Sequence, residues 1–313
     1  MTEPMTSERH VASMPDGTSQ AVGEAKPRSL ELGRRVVSSS MLLIVVLGTL
    51  FALPLWVYAL VVISFGTAAL YEFFTMVRRR GILVHRPLAI GLGIVFMALV
   101  AWRSLLVQTT APRLGEGATM LNWAWDIFWP ATIVIIFLRQ FTRENTFEAL
   151  SGLATTIFGL AYIAGLFSYV FYIRAFKHEQ GVLLILFLIL VTKMGDVGAF
   201  AFGKTMGRHT LVARISPRKT VEGFVGGALV SAATGALCVG MVGRFHGSPL
   251  IGFAVGLGLG VFAQLGDLAE SLIKRDCQVK DSAQLLPGIG GVLDVIDSLL
   301  FTAPLFYGVL IYG

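Results

Sequence analysis

Nine apolar runs, most of them about 20 residues long, leave this chain few ways to fold. A run of that length crosses the hydrocarbon core of a bilayer as a single helix. The runs are Val36–Leu53, Leu55–Met76, Pro87–Val107, Asn122–Leu138, Ala149–Ile173, Gly181–Phe202, Val221–Val242, Pro249–Ile273 and Val292–Tyr312. The first two meet at Pro54, which predicts a helical hairpin there. Only 14% of the residues are charged, and mean hydropathy is +0.75. Soluble domains carry about 25% charge, so the expected class is an all-α integral membrane protein. Strands are not expected, because a membrane β-barrel shows short alternating segments instead.

Residues 1–33 are polar and rich in Ser, Glu and Pro, and read as a disordered tail. No short apolar run with a small-residue cleavage site precedes the first span, so no signal peptide is expected. The remainder divides into five spans over residues 34–180 and four over 181–313. Two charged loops, 203–220 and 274–291, belong to the second part. Cys238 and Cys277 are too few for a disulfide framework or a zinc site and read as free thiols.

Basic residues set the orientation. With the amino terminus in the cytoplasm, 19 of the 25 Lys and Arg residues fall on the inside. Only Arg103, Arg113, Arg174, Lys177 and Arg244 fall outside, and Lys193 is within a span. Nine spans then place the carboxyl terminus outside. Both charged loops face the cytoplasm, where nucleotides are. The net charge of +6 follows from this bias and suits anionic headgroups, not nucleic acid.

Charge inside or beside spans is costly and marks function. Lys193 and Asp196 share one helix face near the inner end of the sixth span, as an ion pair or as a metal or substrate contact. The following loop carries Ser216, Arg218, Lys219 and Thr220 just before a helix start, where free backbone N–H groups favour an anion. Gly198 to Thr205 matches the P-loop pattern literally, but it is the apolar end of a span with bulky Phe residues, so that reading is set aside.

On the eighth span Gln264, Asp267, Ser271 and Lys274 form one polar stripe, and Glu270 is spaced to pair with Lys274. Lys274, Arg275, Lys280 and Asp281 follow in a short window, then Pro287-Gly288-Ile289-Gly290-Gly291, then Asp294 and Asp297 on one face of the ninth span. The carboxylates of Asp267, Asp281, Asp294 and Asp297 exceed the cations on these faces, so a bound metal is expected. Magnesium fits, being oxygen-ligated and held through carboxylates plus phosphates. No His/Cys cluster points to zinc or iron. Glu72, at the inner end of the second span, is ambiguous, and the scattered His residues suggest no hydrolase.

These residues resemble the phosphatidate cytidylyltransferase (CDP-diacylglycerol synthase) family. The match comprises Ser271, Lys274, Arg275, Lys280, Asp281, Pro287, Gly288, Gly290, Gly291, Asp294 and Asp297, with Gln264 to Ser271 upstream and Ile215 to Gly223 as a second block. Ile289 stands where that family usually has His, and Val295 where it usually has Arg. The resemblance implies an inner-membrane homodimer with a cavity open to the inner leaflet. Its reaction joins CMP from CTP to phosphatidate, giving CDP-diacylglycerol and pyrophosphate. Asp281, Asp294, Asp297 and Asp267 are then expected to hold magnesium, and Lys274, Arg275 and Lys280 to hold the triphosphate. Ser216, Arg218, Lys219 and Thr220 would take a phosphate, with Asp196, Ser271, Gly290 and Gly291 also at the substrates. Alternatives are a CTP-dependent polyprenol or phytol kinase, an ether-lipid cytidylyltransferase, and a transporter built on Lys193 and Asp196.

Overall fold

The computed structural model describes residues 44–110, 122–142, 148–176, 180–279 and 290–312. The expected tail therefore lies outside the described residues, as do Lys280, Asp281 and residues 282–289. A short helix α1 (44–51) ends just before Pro54, which starts α2 (Leu55–Arg79). Then come α3 (Arg86–Thr110) and α4 (Asn122–Phe141). Helix α5 (Ala149–Gly159) runs through a π-helical turn, Leu160–Gly165, towards α6 (Tyr169–Ala175). The second half holds α7 (Gly181–Met206), α8 (Val221–Leu237), α9 (Pro249–Asp276) and α10 (Val292–Tyr312).

Among the described residues, six helical stretches are long and apolar enough to cross a membrane, and Ile127–Phe141 and Val221–Leu237 are shorter apolar helices. This is an all-α membrane architecture. The seventh expected span, Val221–Val242, is helical only to Leu237. Beyond Cys238 the chain breaks into two short 3-10 turns, Val239–Met241 and Gly243–Phe245. Gly240 and Gly243 in this stretch favour the break over a continued helix.

One expectation is corrected. Between α7 and α8 the chain forms an antiparallel hairpin, β1 (Thr210–Val212) with β2 (Ser216–Thr220). The β-branched residues Thr210, Val212 and Thr220 favour extended backbone. Pro217 opposes a helix, and a two-stranded ribbon has only edge strands on which to tolerate it.

The core is apolar, with Phe73, Phe74, Met97, Phe187 and Phe306 almost fully enclosed. Around α8 the packing is of another kind. A side-chain carbon on Gly256 would run into the Ser231 carbonyl and the backbone of Ala232 and Gly235, and one on Gly195 would strike the Ser231 hydroxyl. Small residues thus let α7, α8 and α9 approach closely, as helices do in lipid, where van der Waals packing replaces the hydrophobic drive. Ser231 donates its hydroxyl to the Val191 carbonyl at 3.0 Å, and Gln264 donates to the Phe224 carbonyl at 2.9 Å. This tight trio is the rigid frame for the charged residues.

Candidate active site

The charged ends of α2, α9 and α10 are tied together at one end of the bundle, and the hairpin joins α9 there. An Arg80–Asp276 ion pair joins the ends of α2 and α9. Arg275 is exposed and donates from Nε to the Ile215 carbonyl at 3.2 Å, fastening α9 to the hairpin. Thr220 caps α8 by accepting from the Gly223 N–H at 3.1 Å, and Lys219 beside it pairs with Asp267 at 2.7 Å.

Asp267, Glu270 and Asp297 come together from α9 and α10, each offering a carboxylate oxygen within 4.8 Å of the others. Glu270 is 1% exposed, yet its Oε1 has no hydrogen-bond partner among the described residues. Three carboxylates in so small a space repel one another, and a buried unpaired carboxylate oxygen is expensive. Both defects are removed by a hard, oxygen-ligated divalent cation, so the donor set fits magnesium.

Lys274 sits beside this group and pairs with Glu270 at 2.8 Å, as the spacing of four predicts, and with Asp294 at 2.6 Å. The other Asp294 oxygen accepts the Gly291 N–H at 2.7 Å. Gly290, at φ 120°, lies where a side-chain carbon would stand 2.9 Å from the Asp294 carboxylate. Only glycine takes that backbone shape at ease and leaves that space. Of the four carboxylates expected to bind metal, then, Asp267 and Asp297 lie in the group, and Asp294 is turned to Lys274 and Gly291. Asp281 is outside the described residues, with Lys280.

A second chain of contacts runs from α7. Lys193 donates to Asp196 at 3.1 Å and to the Ser298 hydroxyl at 3.3 Å. Ser298 in turn donates to Asp297 from its N–H at 2.5 Å and its hydroxyl at 3.0 Å. Asp196, Lys204, Arg218, Lys219, Thr220 and Asp267 line a cavity of about 410 Å³. Phe200, Leu211, Phe224 and Leu268 give that cavity an apolar wall. Ser216 is half-buried in β2, and Ser271 is half-buried on α9, next to Glu270.

Two participants are absent from the set of site residues expected from sequence. Glu270 belongs to the carboxylate group as well as to Lys274. Its spacing of three from Asp267 is the signal for this, since such residues share a helix face. Glu72 is 0% exposed on α2 and accepts the N–H groups of Val292 and Leu293, both at 2.9 Å. It thus caps the start of α10, where an anion also meets the positive end of the helix dipole. Val295 lines an apolar cleft of about 100 Å³ with Val62, Phe65 and Leu299. Ile289 lies outside the described residues. The literal P-loop match falls wholly inside helix α7.

Fold and site together define a helical membrane enzyme with a carboxylate–lysine centre beside a cation-rimmed cavity. A model of the cytidylyltransferase family matches residues 33–312, and the chain belongs to that family. It is 30% identical over 301 residues to a phosphatidate cytidylyltransferase of Chlamydia pneumoniae, covering 88% of this chain and 91% of that one. Identity to the Bacillus subtilis protein of the same name is 32% over 252 residues, or 80% of this chain and 87% of the other. A third, from Staphylococcus saprophyticus, is 38% identical over 187 residues, covering 59% and 70% respectively.

Proposed function

We propose that this nucleotidyltransferase moves the CMP unit of CTP onto phosphatidate, releasing pyrophosphate and forming CDP-diacylglycerol. The carrying observation is Asp267, which belongs both to the carboxylate group and to the cavity rimmed by Lys204, Arg218 and Lys219. Nucleotide charge is answered on one side of it and a phosphate on the other, against an apolar wall suited to lipid. The relatives named phosphatidate cytidylyltransferase support the choice of substrates.

A phosphate oxygen of phosphatidate attacks the α-phosphorus of CTP. The new P–O bond forms as the bond to the pyrophosphate bridging oxygen breaks, and pyrophosphate leaves with that electron pair. A phosphate monoester is largely dianionic near neutral pH, so no strong general base is needed. Such chemistry is mainly positioning and charge neutralisation. Asp267, Glu270 and Asp297 would hold a divalent cation, magnesium by its oxygen donors, with Asp281 and Asp294 the remaining carboxylates of the site. When bound, that ion neutralises charge on phosphate oxygens.

Lys274, Arg275 and Lys280 face the triphosphate and the departing pyrophosphate. Lys219, Arg218, Thr220 and Ser216 hold the lipid phosphate, and Asp196 orients Lys193 at the cavity wall. Gly290 and Gly291 let the backbone come close to the phosphates, with Ser271 beside them. The site faces the cytoplasm and the bundle has nine spans, with the amino terminus inside and the carboxyl terminus outside. The enzyme works as a homodimer in the inner membrane. Excess basic charge at this end supports that orientation.

The test is pyrophosphate release by purified protein. Release is expected only when CTP, magnesium and phosphatidate are all present. Equal release with diacylglycerol or a prenyl alcohol in place of phosphatidate overturns the reading.

A further inference from the structure

Ser298 stands where α7 meets α10, and its hydroxyl is not used as other buried hydroxyls of this bundle are. Those of Thr156, Thr192 and Thr302 each bond back to the carbonyl four residues earlier on their own helix, at 2.6, 2.6 and 2.9 Å. That is a common arrangement for a hydroxyl inside a helix. Ser298 is 1% exposed and turns its hydroxyl to two charged side chains instead. It accepts from the Lys193 ammonium at 3.3 Å and donates to Asp297 Oδ1 at 3.0 Å.

The direction of this relay is fixed. An ammonium can only donate, so the Ser298 oxygen accepts from it, and the single hydroxyl proton is left for the carboxylate. Each bond has an ionised partner, which makes it stronger than a neutral one. The Ser298 N–H goes to Oδ1 as well, at 2.5 Å. Oδ1 is thus held twice, and Oδ2 carries no hydrogen bond among the described residues.

The main chain at this point is also held. A side-chain carbon on Gly266 would stand 2.6 Å from the Asp297 carbonyl oxygen and 3.2 Å from the Ser298 Cα. Helices α9 and α10 therefore touch backbone to backbone next to Asp267, as small residues allow in lipid. With the backbone clamped there, the main freedom left to the Asp297 carboxylate is rotation of its side chain. Asp297 is one of the three carboxylates whose oxygens lie within 4.8 Å of one another.

We infer that Ser298 is a positioning residue: it couples Lys193 of α7 to Asp297 of α10, locks the rotation of that carboxylate, and keeps Oδ2 for the cation. Partners standing behind a ligand in this way change metal affinity by about 10- to 100-fold. The inference rests on the proposed reading that Asp267, Glu270 and Asp297 would hold a divalent cation. Loss of the hydroxyl orphans neither neighbour, since Lys193 keeps Asp196 and Asp297 keeps the Ser298 N–H. The effect therefore falls on cation binding and not on folding.

Mn²⁺ titration followed by electron paramagnetic resonance, on full-length protein in detergent, tests it. Ser298→Ala is expected to lower Mn²⁺ affinity about tenfold, with little change in the metal-free thermal midpoint. The magnesium concentration for half-maximal turnover should rise by the same factor, while kcat at saturating magnesium stays within about twofold. Ser298→Cys, close in size but a weak donor, should lose affinity too. Thr302→Val deletes a buried hydroxyl one turn further along the same helix, which bonds to the Ser298 carbonyl and not to a carboxylate. Its Mn²⁺ affinity should match wild type. Unchanged affinity in Ser298→Ala or Ser298→Cys, or an equal fall in Thr302→Val, overturns the role of Ser298 alone. Failure of the wild-type protein to bind Mn²⁺ overturns the cation reading, and this inference with it.

Discussion

Glu72 accepts the backbone N–H of Val292 at 2.9 Å across 220 positions of sequence. A carboxylate buried in the second helix thereby closes the first turn of the helix that carries Asp294 and Asp297. The neighbouring N–H of Leu293 is held the same way, so the amino-terminal half sets where α10 begins.

Glu72→Ala leaves both N–H groups buried and unpaired, each at about 1–3 kcal/mol. The thermal midpoint in detergent should fall clearly, and turnover should fall with it. Glu72→Gln keeps one acceptor oxygen and should lie between wild type and Ala. A midpoint unchanged in the Ala variant would remove Glu72 from the account.

Lys274 is the shared partner of Glu270 and Asp294, and all three side chains are mostly buried. Breaking such a pair by deleting one member costs about 3–5 kcal/mol, because uncompensated charge stays behind. Lys274→Met should therefore destabilise strongly. Adding Glu270→Gln to it should recover part of the loss in a denaturation series. If the double variant is no more stable than the single one, the pairing is not what holds Lys274 in place.

Asp267→Asn and Asp297→Asn should each lower kcat/KM by roughly 100-fold or more while the protein still inserts and folds. Asp281→Asn and Asp294→Asn should each abolish turnover on the same condition. Full activity in any folded member of this set contradicts its place in the site.

Gly290→Ala meets two obstacles, a φ of 120° and the nearby Asp294 carboxylate. Strained backbone of this kind costs about 1–3 kcal/mol. Turnover should drop with little change in the amount of protein inserted, as checked by quantitative blotting of membranes alongside activity.

Cys277 follows the end of α9 and is 5% exposed. Burial pushes its thiol above the usual range, and the Arg80 guanidinium opposes this only in part. A raised value means less thiolate at a given pH. In a Cys238→Ala background, maleimide labelling should therefore be slow near neutral pH and speed up only above the ordinary thiol range. Fast labelling at pH 7 would contradict the burial.

Much of the site is written in local sequence. Asp267, Glu270 and Lys274 lie on one helix at spacings of three and four, so their shared face follows from the helical repeat alone. The loop carrying Thr220 and Lys219 ends at a helix start, as its Ser, Pro and Thr residues suggest. The hairpin within that loop is less legible, because its few β-branched residues form no strict alternation. The contacts of Glu72 and Tyr162 with α10 are tertiary. No spacing links position 72 to 292, and nothing in Leu160–Gly165 marks a π turn. The roles of Asp294 and Glu270 also depend on which way each carboxylate turns, which Lys274 and the Gly291 N–H decide and composition does not.

The most direct test of the central claim uses purified protein in detergent with magnesium, phosphatidate and CTP labelled at either the α- or the γ-phosphorus. After lipid extraction, the account predicts α-label in the organic phase and γ-label in released pyrophosphate. γ-Label in the lipid, or α-label confined to the aqueous phase, would contradict it.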